Sequence, residues 1–313
     1  MLSDLLWFKA AIPCLEDMPA PVHLIADNGY DSTALRPKRG PLLCSPVPYS
    51  SRRMVGPMSP NPSTPRQDRF AAIRSESPTF GVWQTIPSRV SAETLARIGY
   101  DWILIDLQHG EAGWNDLLGI VQAIELGGSL PFVRVAWNDP MQIMRALDTG
   151  AAGIVVPMIS SPEDAKSAAS AMHYPPIGSR SFGPIRNFYD TSQTEDQALC
   201  FAMIETAEGL ANVDAIAATA GIDGLFVGTI DLALSLGCDR IGALNEATHA
   251  AIDRVIESCT KHGKISGGVA MAEGSAEVLI AKGMRFLTVG ADIGFLNFSA
   301  KQRILEMSRF KTE

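Results

Sequence analysis

Cysteine, histidine and aromatic residues are scarce in this 313-residue chain: five cysteines, five histidines and 7% aromatics. The cysteines, Cys14, Cys44, Cys200, Cys238 and Cys259, are odd in number, scattered, and never spaced C-x-x-C. That excludes a disulfide framework or a zinc ribbon and fits unpaired thiols in a reducing, cytoplasmic compartment. No apolar run approaches the roughly 18 residues of a membrane span. The opening M-L-S-D-L-L-W-F-K lacks the basic-then-apolar layout of a signal peptide. Neither a phosphate loop nor G-x-G-x-x-G occurs, so no nucleotide is expected. Positive charge is short as well. The net charge is −8, and because residues 1–70 are slightly basic, the remainder is more acidic still. An acidic body argues against nucleic acid or an anionic membrane as partner.

Apolar residues are plentiful, at 46%, enough for a sizeable core. They are not evenly placed. Residues 1–70 hold 11 of the 20 prolines, and Arg36–Arg69 shows neither helical nor strand period. The expectation is a Pro-rich, disordered extension over 1–70 and a folded body over 71–313. Within the extension, L-I-A-D-N-G-Y-D-S-T-A-L-R (residues 24–36) is similar to a short motif of DDE-type transposases, with Asp27 as its acid. One acid cannot hold two metals and no nuclease core follows. The segment is therefore read as a fusion remnant or unrelated extension, with no function assigned.

From about Phe80 the chain alternates strand and helix. The first strand is Phe80–Thr85, and a helix follows over Ser91–Ile98 with Ser91 as N-cap. D-W-I-L-I-D-L-Q-H-G (101–110) is a β-branched apolar run ending in an acid and a histidine. Later strands are Leu130–Trp137, Gly153–Ile159, Leu199–Thr206, Gly224–Thr229, Ile265–Met271 and Phe286–Gly290, with helices between them. Asp139-Pro140 and Ser161-Pro162 mark two helix starts. Eight such units without hairpin turns indicate a (β/α)₈ TIM barrel, an α/β fold; an open doubly wound sheet is the alternative.

In such a barrel the chemistry sits where strands end. Strand 2 ends in Asp106 and His109, strand 3 carries Arg134, strand 5 ends in Glu205, and Asp231 follows strand 6. A carboxylate closing an apolar strand is costly unless it is paired or binds a cation. Two hard carboxylates from adjacent strands suit Mg²⁺ or Mn²⁺; each could equally cap a helix or pair with a cation. A guanidinium inside a barrel needs an anionic partner. The body's lysines, Lys166, Lys261, Lys264, Lys282, Lys301 and Lys311, all fall on helices or their flanks, so no Schiff-base lysine is expected.

D-W-I-L-I-D-L-Q-H-G, P-F-V-R-V, A-L-D-T-G-A, V-V-P-M-I, Y-P-P-I-G-S-R-S-F-G-P, M-I-E-T and V-G-T-I-D-L-A-L-S-L-G follow in order along the body. Over residues 80–300 the chain thereby resembles the HpcH/HpaI family of metal-dependent pyruvate aldolases. The resemblance implies a divalent metal (Mg²⁺, Mn²⁺ or Co²⁺) on Glu205 and Asp231, chelated by pyruvate through its carboxylate and keto oxygens. It implies His109 as general base, Arg134 on the enolate oxygen and Asp106 as a supporting acid. Backbone at Gly228, Thr229 and Ile230 would take the pyruvate carboxylate. Asp148 would reach the base of a neighbouring subunit, which implies a homo-oligomer, a hexamer in the family. The chain departs from the family where Thr229 replaces a frequent proline and Met203 a frequent glutamine; the first alters the carboxylate loop and the second removes a polar group near the metal's water.

The expected reaction is reversible cleavage of a 4-hydroxy-2-oxo acid to pyruvate and an aldehyde. A citrate- or malyl-CoA-type lyase is the alternative, needing a basic nucleotide groove for which the acidic body gives little sign. A fused barrel without catalysis is the other. Arg180 and Arg186, in the long Pro175–Gln197 connection, could meet an acceptor's distal carboxylate or lie on a surface or interface.

Overall fold

A computed structural model describes residues 66–183, 186, 198–238, 246–272 and 274–311. The Pro-rich segment up to residue 65, with its transposase-like motif, lies outside the described residues, as does most of 184–197. Eight strands close into a barrel in sequence order. They are β1 Thr79–Gln84, β2 Trp102–Asp106, β3 Leu130–Arg134, β4 Gly153–Val156, β5 Leu199–Ile204, β6 Gly224–Val227, β7 Ile265–Val269 and β8 Phe286–Ala291. Every neighbouring pair is parallel. The expected (β/α)₈ architecture is thus the observed one.

Parallel strands need crossovers, and helices supply them. In chain order they are α1 Arg66–Arg74, α2 Arg89–Ile98, α3 Trp114–Gly127, α4 Pro140–Asp148, α5 Pro162–Met172, α6 Ala207–Ala211, α7 Val213–Ala217, α8 Thr229–Ser235, α9 Glu246–His262, α10 Ser275–Ala281 and α11 Asp292–Ser308. Local chemistry sets their starts. Asp139 caps α4 by accepting from the Met141 N–H, with Pro140 at the first helical position. Ser161 and Asp164 form a capping box at α5. α2 starts earlier than its sequence suggests: Ser88, not Ser91, is the N-cap, and its hydroxyl accepts from the Ser91 N–H.

Strand alternation divides the apolar residues into two cores. Outward residues such as Ile103, Ile105, Val133 and Ile154 pack under α3, α4 and α5. Inward residues fill the barrel with rings: Trp102, Phe132, Phe201, Phe226 and Phe286 are fully buried. Trp102 stacks on Phe286 at 3.7 Å between centroids. Gly81 makes that possible, because a Cβ there would lie 2.2 Å from the Trp102 ring.

The N-terminal end of the barrel is covered by α1. Phe70 and Ile73 are 3% and 2% exposed and belong to the aromatic interior. Residues 66–70, expected to be irregular, are therefore helical and packed; two apolar residues three apart were hidden by proline-rich neighbours. A Phe so buried contributes about 3 kcal/mol relative to alanine. At the other terminus, α11 packs little against its own barrel. Asp292 is its only buried residue, while Phe295, Leu296, Phe298, Ile304 and Leu305 are exposed.

Candidate active site

Asp106 and Arg134 are Cα partners at the last register position of β2 and β3. Both side chains are buried, 1% and 6% exposed. Arg134 donates Nε to Asp106 Oδ1 at 2.9 Å and Nη2 to Oδ2 at 2.7 Å, a bidentate fork. Its Nη1 makes no hydrogen bond among the described residues. Asp106 also accepts from Trp83 Nε1 at 2.9 Å and from the backbone N–H groups of Gln108 and His109. Burial by itself would raise the Asp106 pKa. The hydrogen bonds and charge of Arg134, with those of Trp83 and His109, outweigh it and hold the carboxyl below its ordinary range.

Glu205 follows β5 and is 3% exposed. Its Oε2 accepts from the Met158 N–H at 2.8 Å. Met158 delivers that N–H from a left-handed backbone, φ 59°, a strained state for a residue with a side chain. Glu205 also rests against Gly228: a Cβ there would fall 2.5 Å from Glu205 Cγ and Oε1. Burial pushes the Glu205 pKa up, and the charges of Asp231 and Asp106 push the same way. The Met158 N–H and Arg134 oppose them. Asp231 lies in the first turn of α8 and is exposed. Thr229, expected as the end of strand 6, opens that helix.

His109 stands just past β2 with an exposed side chain that makes no hydrogen bond among the described residues. Met203 is buried on the inner face of β5 and presents only a thioether. Thr229 and Ile230 open α8, where the start of a helix leaves backbone N–H groups without intrahelical acceptors.

Asp148 is elsewhere. It ends α4, a helix that runs back from the C-terminal to the N-terminal end of the barrel, so it is remote from His109 of its own chain. There it pairs with Arg180 at 2.8 Å. Arg186 pairs with Glu125 at 2.7 Å. Both arginines are held in ion pairs on that side, and among the described residues neither meets a group at the strand C-termini.

A family model for HpcH/HpaI aldolase/citrate lyase matches residues 79–297. The chain belongs to this family. Similar proteins include a hydroxypyruvate/pyruvate aldolase of Rhizorhabdus wittichii, 41% identical over 235 residues, which are 73% of this chain and 94% of the relative. A 5-keto-4-deoxy-D-glucarate aldolase of Shigella dysenteriae is 33% identical over 249 residues, covering 75% and 94%. A solved HpcH/HpaI aldolase/citrate lyase family protein from Burkholderia cenocepacia superposes with a TM-score of 0.71 at 30% identity, covering 78% of this chain and all of that one. Membership makes this chain an aldolase-type lyase. No helix among the described residues is long and apolar enough to cross a membrane.

The residues present fit the divalent cation expected from the sequence. Asp106 and Glu205 are both buried, and the one guanidinium beside them, Arg134, is forked onto Asp106. The buried Glu205, with Asp231 near enough to push its pKa up, keeps only the Met158 N–H as a hydrogen-bond donor and has no ion pair among the described residues. Oxygen donors of this kind suit hard cations. Among the described residues no third His, Cys, Asp or Glu joins the pair, so a cation held there would draw its other ligands from water or substrate.

The sequence reading missed Trp83 and Met158. Trp83 had one available signal: it shares the inward phase of β1, on the same face as Gly81. The conformation of Met158 leaves no trace in composition or spacing.

Proposed function

We propose that this chain is a class II pyruvate aldolase that reversibly cleaves a 4-hydroxy-2-oxo acid to pyruvate and an aldehyde. Charge carries the proposal: among the described residues the buried Glu205, near Asp231, has no ion-pair partner, and Arg134 Nη1 has no hydrogen-bond partner. In this scheme Glu205 and Asp231 hold Mg²⁺, Mn²⁺ or Co²⁺. When bound, the cation supplies Lewis-acid polarisation of the 2-oxo group.

The chain's own residues do the rest. Backbone N–H groups of Thr229 and Ile230, at the start of α8, orient the substrate carboxylate; that of Gly228, also expected to do so, is donated to the Ile204 carbonyl at 3.2 Å. His109 takes the proton of the 4-hydroxyl. The C3–C4 electron pair passes into the C2–C3 bond, the aldehyde carbonyl forms, and Arg134 Nη1 holds the enolate oxygen. Protonation at C3 releases pyruvate. Asp106 holds Arg134 in place. With no phosphate loop and no strand lysine, neither a nucleotide nor a Schiff base enters.

The proposal includes a homo-oligomer, hexameric as in the family resemblance. Asp148 cannot serve the His109 of its own chain and would serve that of a second copy. Phe295, Leu296, Phe298, Ile304 and Leu305 of α11 are exposed on one helix, and apolar side chains gathered on a surface suit a protein–protein contact.

Pyruvate methyl proton–deuterium exchange, followed by NMR with and without Mn²⁺, tests the scheme without knowledge of the aldehyde. Exchange should require the metal, and His109→Ala should slow it about a hundredfold. No exchange from folded, Mn²⁺-loaded protein would reject a pyruvate enolate. Light scattering on the same sample should give several times the 33.6 kDa chain mass; a monomer would reject the role of Asp148.

A further inference from the structure

Trp83 touches both members of the buried ion pair, each through a different part of its ring system. Its Nε1–H donates to Asp106 Oδ2 at 2.9 Å. Its face lies under Arg134, with the guanidinium carbon 4.5 Å from the ring centroid, a cation–π geometry. The indole is itself fixed. It is 8% exposed and meets Phe226 edge-on at 5.9 Å. The pairing of β1 with β8 slips between Gly81 and Trp83, an irregularity of the type that re-aims side chains beside active sites.

The consequence lies in how one positive charge is shared among three negative ones. Glu205 is as buried as Asp106 and has no ion pair among the described residues, whereas Arg134 is paired with Asp106; Glu205 is therefore a second acceptor for the one guanidinium. Were Arg134 to turn to Glu205, it would cancel the charge available to a cation and leave Asp106 buried without its partner. Trp83 opposes that turn in two ways. The ring face holds the guanidinium plane, and the N–H keeps Asp106 aimed at the fork.

We propose that Trp83 is a positioning residue that assigns Arg134 to Asp106 and thereby keeps Glu205 free for a divalent cation. This rests on the metal-dependent reading of the site given above. Trp83→Phe keeps the ring face and loses the N–H; Trp83→Leu loses both. Two quantities are measured: free Mn²⁺ by electron paramagnetic resonance during titration of each protein, and kcat and KM for pyruvate methyl exchange.

Trp83→Phe is expected to bind Mn²⁺ within about twofold of wild type and to lose about tenfold in kcat with little change in KM, the effect of one hydrogen bond to a charged group. Trp83→Leu is expected to bind Mn²⁺ about tenfold more weakly as well. A purely structural role would lower the melting temperature while leaving kcat per folded molecule and Mn²⁺ affinity unchanged, and that result overturns the proposal. If Trp83→Leu does not fold, the kcat and KM of Trp83→Phe decide. If wild type binds Mn²⁺ but exchanges no pyruvate, the pyruvate reading fails. The Mn²⁺ affinity of Trp83→Leu then decides this inference alone: tenfold weaker binding upholds it and equal binding overturns it.

Discussion

Glu205→Gln is expected to lower metal-supported pyruvate exchange by about 10³-fold. A bound cation contributes several kcal/mol of charge stabilisation in a reaction of this type, and each 1.36 kcal/mol is a factor of ten in rate. Glutamine has the same shape and can still accept the Met158 N–H, so the backbone strained at Met158 keeps its partner. What disappears is one of two carboxylate ligands. In a Mn²⁺ titration the variant should bind far more weakly than wild type. Equal affinity would show that Glu205 is not a ligand.

The same substitution has an opposite effect on the metal-free fold. Burial, with Asp231 and Asp106 nearby, raises the native Glu205 pKa above its unfolded value. Such a group contributes its full stability below the unfolded pKa and loses it as pH rises through the native one. Above the ordinary glutamate range the metal-free wild type carries that loss, and Glu205→Gln, which does not titrate, should melt higher. The advantage should shrink as pH falls toward the ordinary glutamate range. Added Mn²⁺ should reverse the order by stabilising wild type alone.

The barrel could be read from the chain because its strands are buried on both faces and therefore appear as unbroken apolar runs. The site residues stood out for the same reason. Asp106, Arg134 and Glu205 interrupt or end such runs, where a charge is too costly to be incidental. Trp83 did not stand out, since an aromatic residue in a strand reads as core and only its N–H and its neighbour Arg134 give it another role. The Asp148–Arg180 pair spans 32 residues of sequence, and nothing in spacing alone connects them. The strand expected to reach Thr229 stops at Val227, because the chain turns at Gly228, which can lie against Glu205 because it has no side chain, and α8 begins at Thr229. α1 escaped notice because its buried residues, Phe70 and Ile73, supply only one helical repeat.

Arg134→Met separates the two tasks of the guanidinium. Removing it leaves Asp106, 1% exposed, with only the N–H donors of Trp83, Gln108 and His109. Breaking a buried ion pair from one side costs about 3–5 kcal/mol, which urea unfolding at neutral pH should register. The loss should depend on acidity. The native Asp106 pKa lies below its unfolded value, so the pair's contribution is full above the unfolded aspartate pKa and fades as pH falls through the native one. Wild type and variant should therefore converge in acid. Exchange of pyruvate should drop about 10²–10³-fold, the loss typical of one donor to a developing oxyanion, and Arg134→Lys should not restore it, because an ammonium cannot bind Asp106 through a fork and keep a further N–H for substrate. Adding Asp106→Leu to Arg134→Met removes the stranded charge. The double variant should regain most of the stability and none of the exchange. If exchange returns with stability, Arg134 acts only through the fold and the enolate has another donor.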